Sequence, residues 1–131
     1  MANNVKMVFD NKMHGIITGH HGSSQVGPSE GALAAYDMVL GGLGACLNHT
    51  FQSVLDKKQV KIHGVNYDIT GVKREEVPAT LKEVTVKATI SGVENDTKDK
   101  VEKAFELATK YCSVYQTISH VADMQYSVEF K

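Results

Sequence analysis

Residues 29–57 read SEGALAAYDMVLGGLGACLNHTFQSVLDK and follow directly on Pro28, with no further proline to interrupt them. Ala35, Met38, Val39, Gly42, Leu43, Cys46 and Leu47 recur at three- and four-residue intervals, the spacing of one helical face. Leu33, Leu40 and Phe51 fall outside that stripe and predict a helix covered on more than one side. Gly41, Gly42 and Gly44 lie in its interior, where each costs about 1 kcal/mol relative to alanine. Such a cluster fits a helix whose backbone another helix or another chain approaches closely. Gly27-Pro28-Ser29 marks the entry, with Ser29 as candidate N-cap. The reading is a long central helix that presents Cys46 from a small-residue face.

On the N-terminal side, Val5, Met7 and Phe9 alternate with polar residues, Asp10-Asn11-Lys12 offers a turn, and MHGIITGH follows; this predicts a hairpin. Residues 22–30, GSSQVGPSE, read as a polar, glycine-rich loop. Beyond the helix, Val60 and Ile62 alternate in one phase and Val65, Tyr67 and Ile69 in the other. A β-bulge at His63-Gly64 would reconcile them. A charged connection, Lys73–Pro78, leads to a strand carrying Val84, Val86, Ala88 and Ile90 on one face. Asn95-Asp96-Thr97 is predicted to cap a second helix, TKDKVEKAFELATKY, with Val101, Ala104, Phe105 and Ala108 as its buried stripe. Cys112 follows, then SVYQTISHV as a short third helix, then a strand from Ala122 to Phe130. The order ββ–α–ββ–αα–β is α+β, with two long helices on mostly antiparallel sheet, in a single domain spanning 1–131.

The bulk properties narrow the function. A chain of 131 residues can bury a core without covalent staples. A formal net charge of −1 gives no electrostatic footprint for nucleic acid or an anionic membrane. No run approaches the ~20 apolar residues of a membrane span, and MANNVKMVFD lacks a signal-peptide core, so the expected location is cytoplasmic. In a reducing compartment the two cysteines are not a disulfide framework. They are either packed core residues or working thiols: one attacking, the other resolving.

The flanks of the cysteines bear on that choice. The run AAYDMVLGGLGAC, together with a second cysteine in YCSVYQTIS, resembles the family of osmotically induced protein C (OsmC) and organic hydroperoxide resistance protein (Ohr). There, an acidic residue and a leucine- and alanine-rich helix end in Gly-Ala-Cys or Ala-Ala-Cys, and the second cysteine usually opens Cys-Pro-Val. Here Asp37 occupies the acidic position, usually glutamate, and Cys112-Ser113-Val114 stands for Cys-Pro-Val. The resemblance implies the OsmC-like fold, an intertwined homodimer with paired central helices, and active sites at the dimer interface. It also implies a thiol-dependent peroxidase acting on organic hydroperoxides without a cofactor. Cys46 would be the peroxidatic thiolate, Cys112 the resolving thiol, and a dithiol of the lipoyl type the reductant. The alternative is a non-catalytic relative that binds a small apolar or electrophilic ligand in the interfacial pocket.

A thiolate on an apolar helix needs positive charge or hydrogen-bond donors. The family supplies an N-terminal arginine held by the acidic residue, which the resemblance assigns to Asp37. Read alone, Asp37 is a polar residue at a helix–helix contact. The only arginine here is Arg74, in the charged connection. A basic side chain from the N-terminal hairpin, or from Lys73-Arg74 of the partner subunit, is therefore expected near Cys46. Cys112 is expected to owe a lowered pKa to N–H groups of the turn after it, where Ser113, unlike proline, keeps a donor. His49, three residues beyond Cys46, could contact it. Adjacent His20 and His21 would face opposite ways on a strand, and no metal site is assigned.

Overall fold

The computed structural model describes residues 2–131 and divides the chain into two compact units, one ending at Gly41 and the other running from Gly42 to Lys131. The first holds three strands, β1 (Lys6–Phe9), β2 (Gly15–Thr18) and β3 (Ser23–Val26), in a sheet of that order with both pairings antiparallel. The hairpin turns where the sequence places it. Asp10 Oδ1 accepts the N–H groups of Lys12 at 2.7 Å and His14 at 3.0 Å, an Asx turn that closes β1 onto β2.

Residues 22–30 are not simply a loop, because β3 lies within them. Ser23, Ser24, Gln25 and Val26 pair with Thr18, Ile17, Ile16 and Gly15 of β2. The polar residues there are those of an edge strand with only one neighbour, where apolar side chains are not required. The backbone after β3 is committed as well. Gly27 N–H reaches Leu33 O at 3.1 Å, and Leu33 N–H reaches Gln25 O at 3.0 Å. The central helix α1 therefore starts at Ala35 and runs to Lys58, and Ser29 is not its N-cap. Its first turn is closed by Asp37, whose carboxylate accepts the Ala34 N–H at 2.9 Å, the reach-back half of a capping box.

The second unit carries the core. A sheet of β4 (Gly64–Lys73), β5 (Leu81–Ser91) and β6 (Asp123–Phe130) has β5 in the middle, antiparallel to β4 and parallel to β6. The parallel step is made by a crossover through α2 (Lys98–Tyr111) and α3 (Ser113–Ser119). Val84, Val86, Ala88 and Ile90 of β5 are buried, as are Val101, Ala104, Phe105 and Ala108 of α2, matching the stripes read from the sequence. Residues 60–63 precede β4 rather than belonging to it. The register irregularity falls at Val72/Lys73, not at His63-Gly64. Since β4 pairs with β5 only from Gly64 onward, Val60 and Ile62 need not share the strand's phase. Thr97 does not cap α2; its hydroxyl turns back to Glu94 O at 3.0 Å in a 3-10 turn spanning Asn95–Thr97.

On α1 the buried residues are Leu43, Gly44, Leu47, Phe51 and Leu55. The stripe thus keeps Leu43 and Leu47 of the expected set and continues through Phe51 to Leu55. Gly44 is the one interior glycine whose smallness this unit uses: a Cβ there would stand 3.0 Å from Ile69 Cδ1. Around Gly41 and Gly42 the space is open. Phe51 meets Phe105 edge-on at 5.1 Å, and Phe105 lies 5.5 Å from Tyr126, so one aromatic cluster joins α1, α2 and β6. Among the described residues, no helix is long and apolar enough to cross a membrane.

Phe51→Ala should lower unfolding free energy by about 3–5 kcal/mol, as expected for emptying a buried aromatic site. Val77→Ala, at a side chain 95% exposed, should stay within about 0.5 kcal/mol. Urea denaturation of both variants checks the contrast.

Candidate active site

Cys46 lies on α1 between two core positions, Leu43 and Leu47, and is half-buried. Cys112 is fully buried at the break between two helices. Its N–H closes α2 onto Ala108 O at 2.8 Å, while its backbone turns extended (φ −71°, ψ 114°) and its sulfur accepts the Tyr115 N–H at 3.4 Å at the start of α3. A helix must leave its first N–H groups without intrahelical partners. Here those of α3 are taken up by the two sulfurs.

The break brings the two cysteines together across 66 residues of chain (112 − 46). Burial pushes the Cys46 thiol up, but four donors outweigh it: the Val114 N–H, the Cys112 thiol, the Ser113 hydroxyl and the Ser113 N–H. The net effect is to hold Cys46 below the ordinary thiol range. The Ser113 Oγ stands 3.9 Å from the Cys46 Sγ, a long contact suited to sulfur. Cys112 is displaced the other way. Burial, and its own donation to Cys46, push it up to about 11 despite the N–H groups of Tyr115 and Val114. The expectation that the following turn would lower the Cys112 pKa is therefore corrected: its N–H groups do act in that direction, but desolvation dominates. Of the two thiols, Cys46 is the one that gives up its proton more readily, and Cys112 the one that holds its proton more tightly.

Ser113 retains the donor that a proline would remove, and its N–H is one of the four groups on Cys46. Ser113 and Val114 are the site residues the sequence reading did not single out as ligands of Cys46. The signal available was their position at the start of a helix directly after the second cysteine. Behind Cys112, the Tyr67 hydroxyl donates to Asn48 Oδ1 at 2.9 Å. Burial raises the Tyr67 phenol, and a charge on Cys112 would raise it further, so Tyr67 stays a protonated donor.

The other candidates lie elsewhere. Asp37 is exposed and engaged with the Ala34 N–H at the start of α1. Arg74 donates to Thr80 Oγ1 at 2.9 Å, to the Leu81 carbonyl, and to the Val121 carbonyl at 2.9 Å, tying the β4–β5 connection to the segment before β6. His49 is exposed, and its carbonyl accepts the Ser53 hydroxyl at 3.0 Å. Among the described residues, no three His, Cys, Asp or Glu side chains converge on a point that could hold a metal ion.

The fold and this pair define an α+β protein in which two thiols meet, one shifted below the ordinary thiol range and one above it. The family of OsmC-like proteins matches over residues 27–127, and the chain belongs to that family. Solved structures share the fold along nearly its whole length. An OsmC-like protein of Mycoplasma pneumoniae superposes with a TM-score of 0.87 at 13% identity, covering 99% of this chain and 97% of its own. A hypothetical protein of Aquifex aeolicus gives 0.83 at 21% identity, covering 100% and 98%. An organic hydroperoxide resistance protein of Legionella pneumophila gives 0.74 at 17% identity, covering 98% and 97%. No functionally curated protein matches the sequence.

With iodoacetamide near neutral pH, Cys46 should be alkylated at least about tenfold faster than Cys112, since reactivity follows thiolate content and exposure. Ser113→Ala should slow Cys46 alkylation severalfold; peptide mass spectrometry reads both rates. The Cys112 pKa is raised in the folded protein from 9.0 to about 11. Its stabilising contribution is thus complete below pH 9 and is lost as pH rises toward 11. Urea denaturation should show that alkaline loss in the wild type and less of it in Cys112→Ala.

Proposed function

We propose that the protein is a thiol-dependent peroxidase that reduces organic hydroperoxides through Cys46 and Cys112. The observation that carries this reading is the meeting of the two thiols at the start of α3, Cys46 half-exposed among hydrogen-bond donors and Cys112 buried behind it. The Cys46 thiolate attacks the distal peroxide oxygen. The O–O bond breaks, the alkoxide leaves and takes up a proton, and Cys46 becomes a sulfenic acid. The Cys112 sulfur then attacks the Cys46 sulfur, giving a disulfide and releasing water formed from the sulfenic hydroxyl and the Cys112 proton. A dithiol of the lipoyl type supplies two electrons and two protons to restore both thiols. No cofactor enters the cycle.

Membership of the OsmC-like family supports the reading, and so does likeness in fold to proteins named for organic hydroperoxide resistance. We further propose that the chain works as a homodimer in the cytoplasm. The open faces at Gly41 and Gly42 would receive the partner's central helix, and a basic side chain of the partner would approach Cys46. Asp37, exposed in the first turn of α1, would hold a cation, the part that the family resemblance gives it. A second reading has its own support: the groups that lower the Cys46 pKa are all uncharged, and Arg74 is engaged with Thr80, Leu81 and Val121. Under it, the same thiols form a pocket that binds a small apolar or electrophilic ligand without turnover.

Dithiol-dependent consumption of cumene hydroperoxide separates the two. The peroxidase reading expects turnover in the wild type and a loss of at least about a hundredfold in Cys46→Ser, the scale of removing a reacting group. In Cys112→Ser, a sulfenic acid should persist on Cys46 and be trapped by dimedone. Absence of wild-type turnover would leave the binding reading.

A further inference from the structure

A second constellation lies wholly within the N-terminal unit and takes no part in the thiol chemistry. The imidazole of His14 bridges two side chains: its Nε2 is hydrogen-bonded to Ser29 Oγ, and its Nδ1 faces Asp10 Oδ2 at 3.6 Å. Asp10 is fixed in turn by the Lys12 and His14 N–H groups on its other oxygen. Ser29 is exposed and sits in the run Gly27-Pro28-Ser29-Glu30-Gly31, between strand β3 and helix α1. Both flanking glycines have positive φ, +144° at Gly27 and +85° at Gly31. A Cβ at Gly27 would come within 2.7 Å of Met13 O and 3.7 Å of the His14 ring, so only glycine lets the turn pass beneath the imidazole.

We propose that Ser29, His14 and Asp10 form a serine-hydrolase site acting on esters with a small apolar acyl group. A serine held between glycines on a strand-to-helix turn, with its hydroxyl on a histidine that an aspartate orients, is the arrangement that activates a serine nucleophile. Among the described residues, the N–H groups of Glu30 and Gly31 have no acceptor, which leaves two donors beside Ser29 for a developing oxyanion. A groove of about 420 Å³ borders Asp10 and His14 and is walled by Val8, Phe9, Ile16 and Gln25, the first three exposed apolar side chains with no other assigned role. It would hold the acyl chain.

In the reaction, Ser29 Oγ bonds to the ester carbonyl carbon as its proton passes to His14 Nε2. The tetrahedral species collapses, the C–O bond to the alcohol breaks, and the alcohol leaves with the proton from His14. Water, deprotonated by the same nitrogen, then attacks the acyl-serine, releases the carboxylic acid and restores Ser29. Asp10 is a positioning residue that fixes the imidazole. Neither cysteine is involved, so the site stands or falls independently of the peroxidase.

The test is covalent labelling of the full chain with a fluorophosphonate, which forms a Ser–O–P bond and releases fluoride, with the modified residue mapped by peptide mass spectrometry. The expected result is labelling at Ser29 in the wild type and a labelling rate about a hundredfold lower in His14→Ala, which keeps the serine but removes its base. Asp10→Asn should lower the rate and Asp10→Glu should recover part of it. Hydrolysis of p-nitrophenyl butyrate should be lost in Ser29→Ala, with circular dichroism reporting that variant's fold. No label at Ser29 in the wild type overturns the proposal. Equal labelling in wild type and His14→Ala overturns it too, since it would mark ordinary surface reactivity.

Discussion

Everything in the second unit that bears on chemistry depends on one contact, that of the Cys46 sulfur with the start of α3. The chain breaks helix at Cys112 and begins it again at Ser113, which frees N–H groups beside the two sulfurs. Those groups need acceptors, and sulfur provides them. Desolvation alone would make Cys46 a poor thiolate, but donors from Val114, Ser113 and Cys112 reverse the sign. Without the break, both cysteines would be neutral core residues.

The scaffold around that contact is rigid for identifiable reasons. Leu43, Leu47, Phe51 and Leu55 fix the rotation of α1, and Gly44 lets the helix close on Ile69 of β4. Phe105 links Phe51 to Tyr126, so α2 is held against α1 and β6 by one aromatic cluster. Since α2 ends at Tyr111, whatever fixes α2 also fixes where Cys112 falls. The crossover from β5 through α2 and α3 to β6 places the break on the helical layer, on the side where α1 presents Cys46. Behind the pair, the Tyr67–Asn48 hydrogen bond keeps a protonated phenol near Cys112.

Much of this was legible in the sequence, in places where a single periodicity governs. The stripe of α2, the alternation in β5 and the hairpin turn at Asp10 each follow from local pattern and were found as read. Misreadings arose where tertiary hydrogen bonding decides. Ser23–Val26 is polar enough to be a loop, yet it supplies the second edge of β2. Ser29 has the chemistry of an N-cap, but the Gly27–Leu33 backbone bond delays the helix and the hydroxyl goes to His14 instead. The resemblance directed attention to Cys46, Cys112 and Asp37. It could not show that Ser113 and Val114 donate to the first thiol, because that depends on the packing of α3 against α1.

The central claim is that the two thiols form one redox unit within a single chain, and oxidation under single-turnover conditions tests it most directly. One equivalent of cumene hydroperoxide is added to the fully reduced protein, and peptides are mapped without reduction. The account predicts one intrachain disulfide joining Cys46 to Cys112, with a loss of two hydrogens, no stable oxygen adduct and full recovery of both thiols on adding a dithiol. Oxygen accumulating on Cys46 while Cys112 remains a free thiol would contradict it.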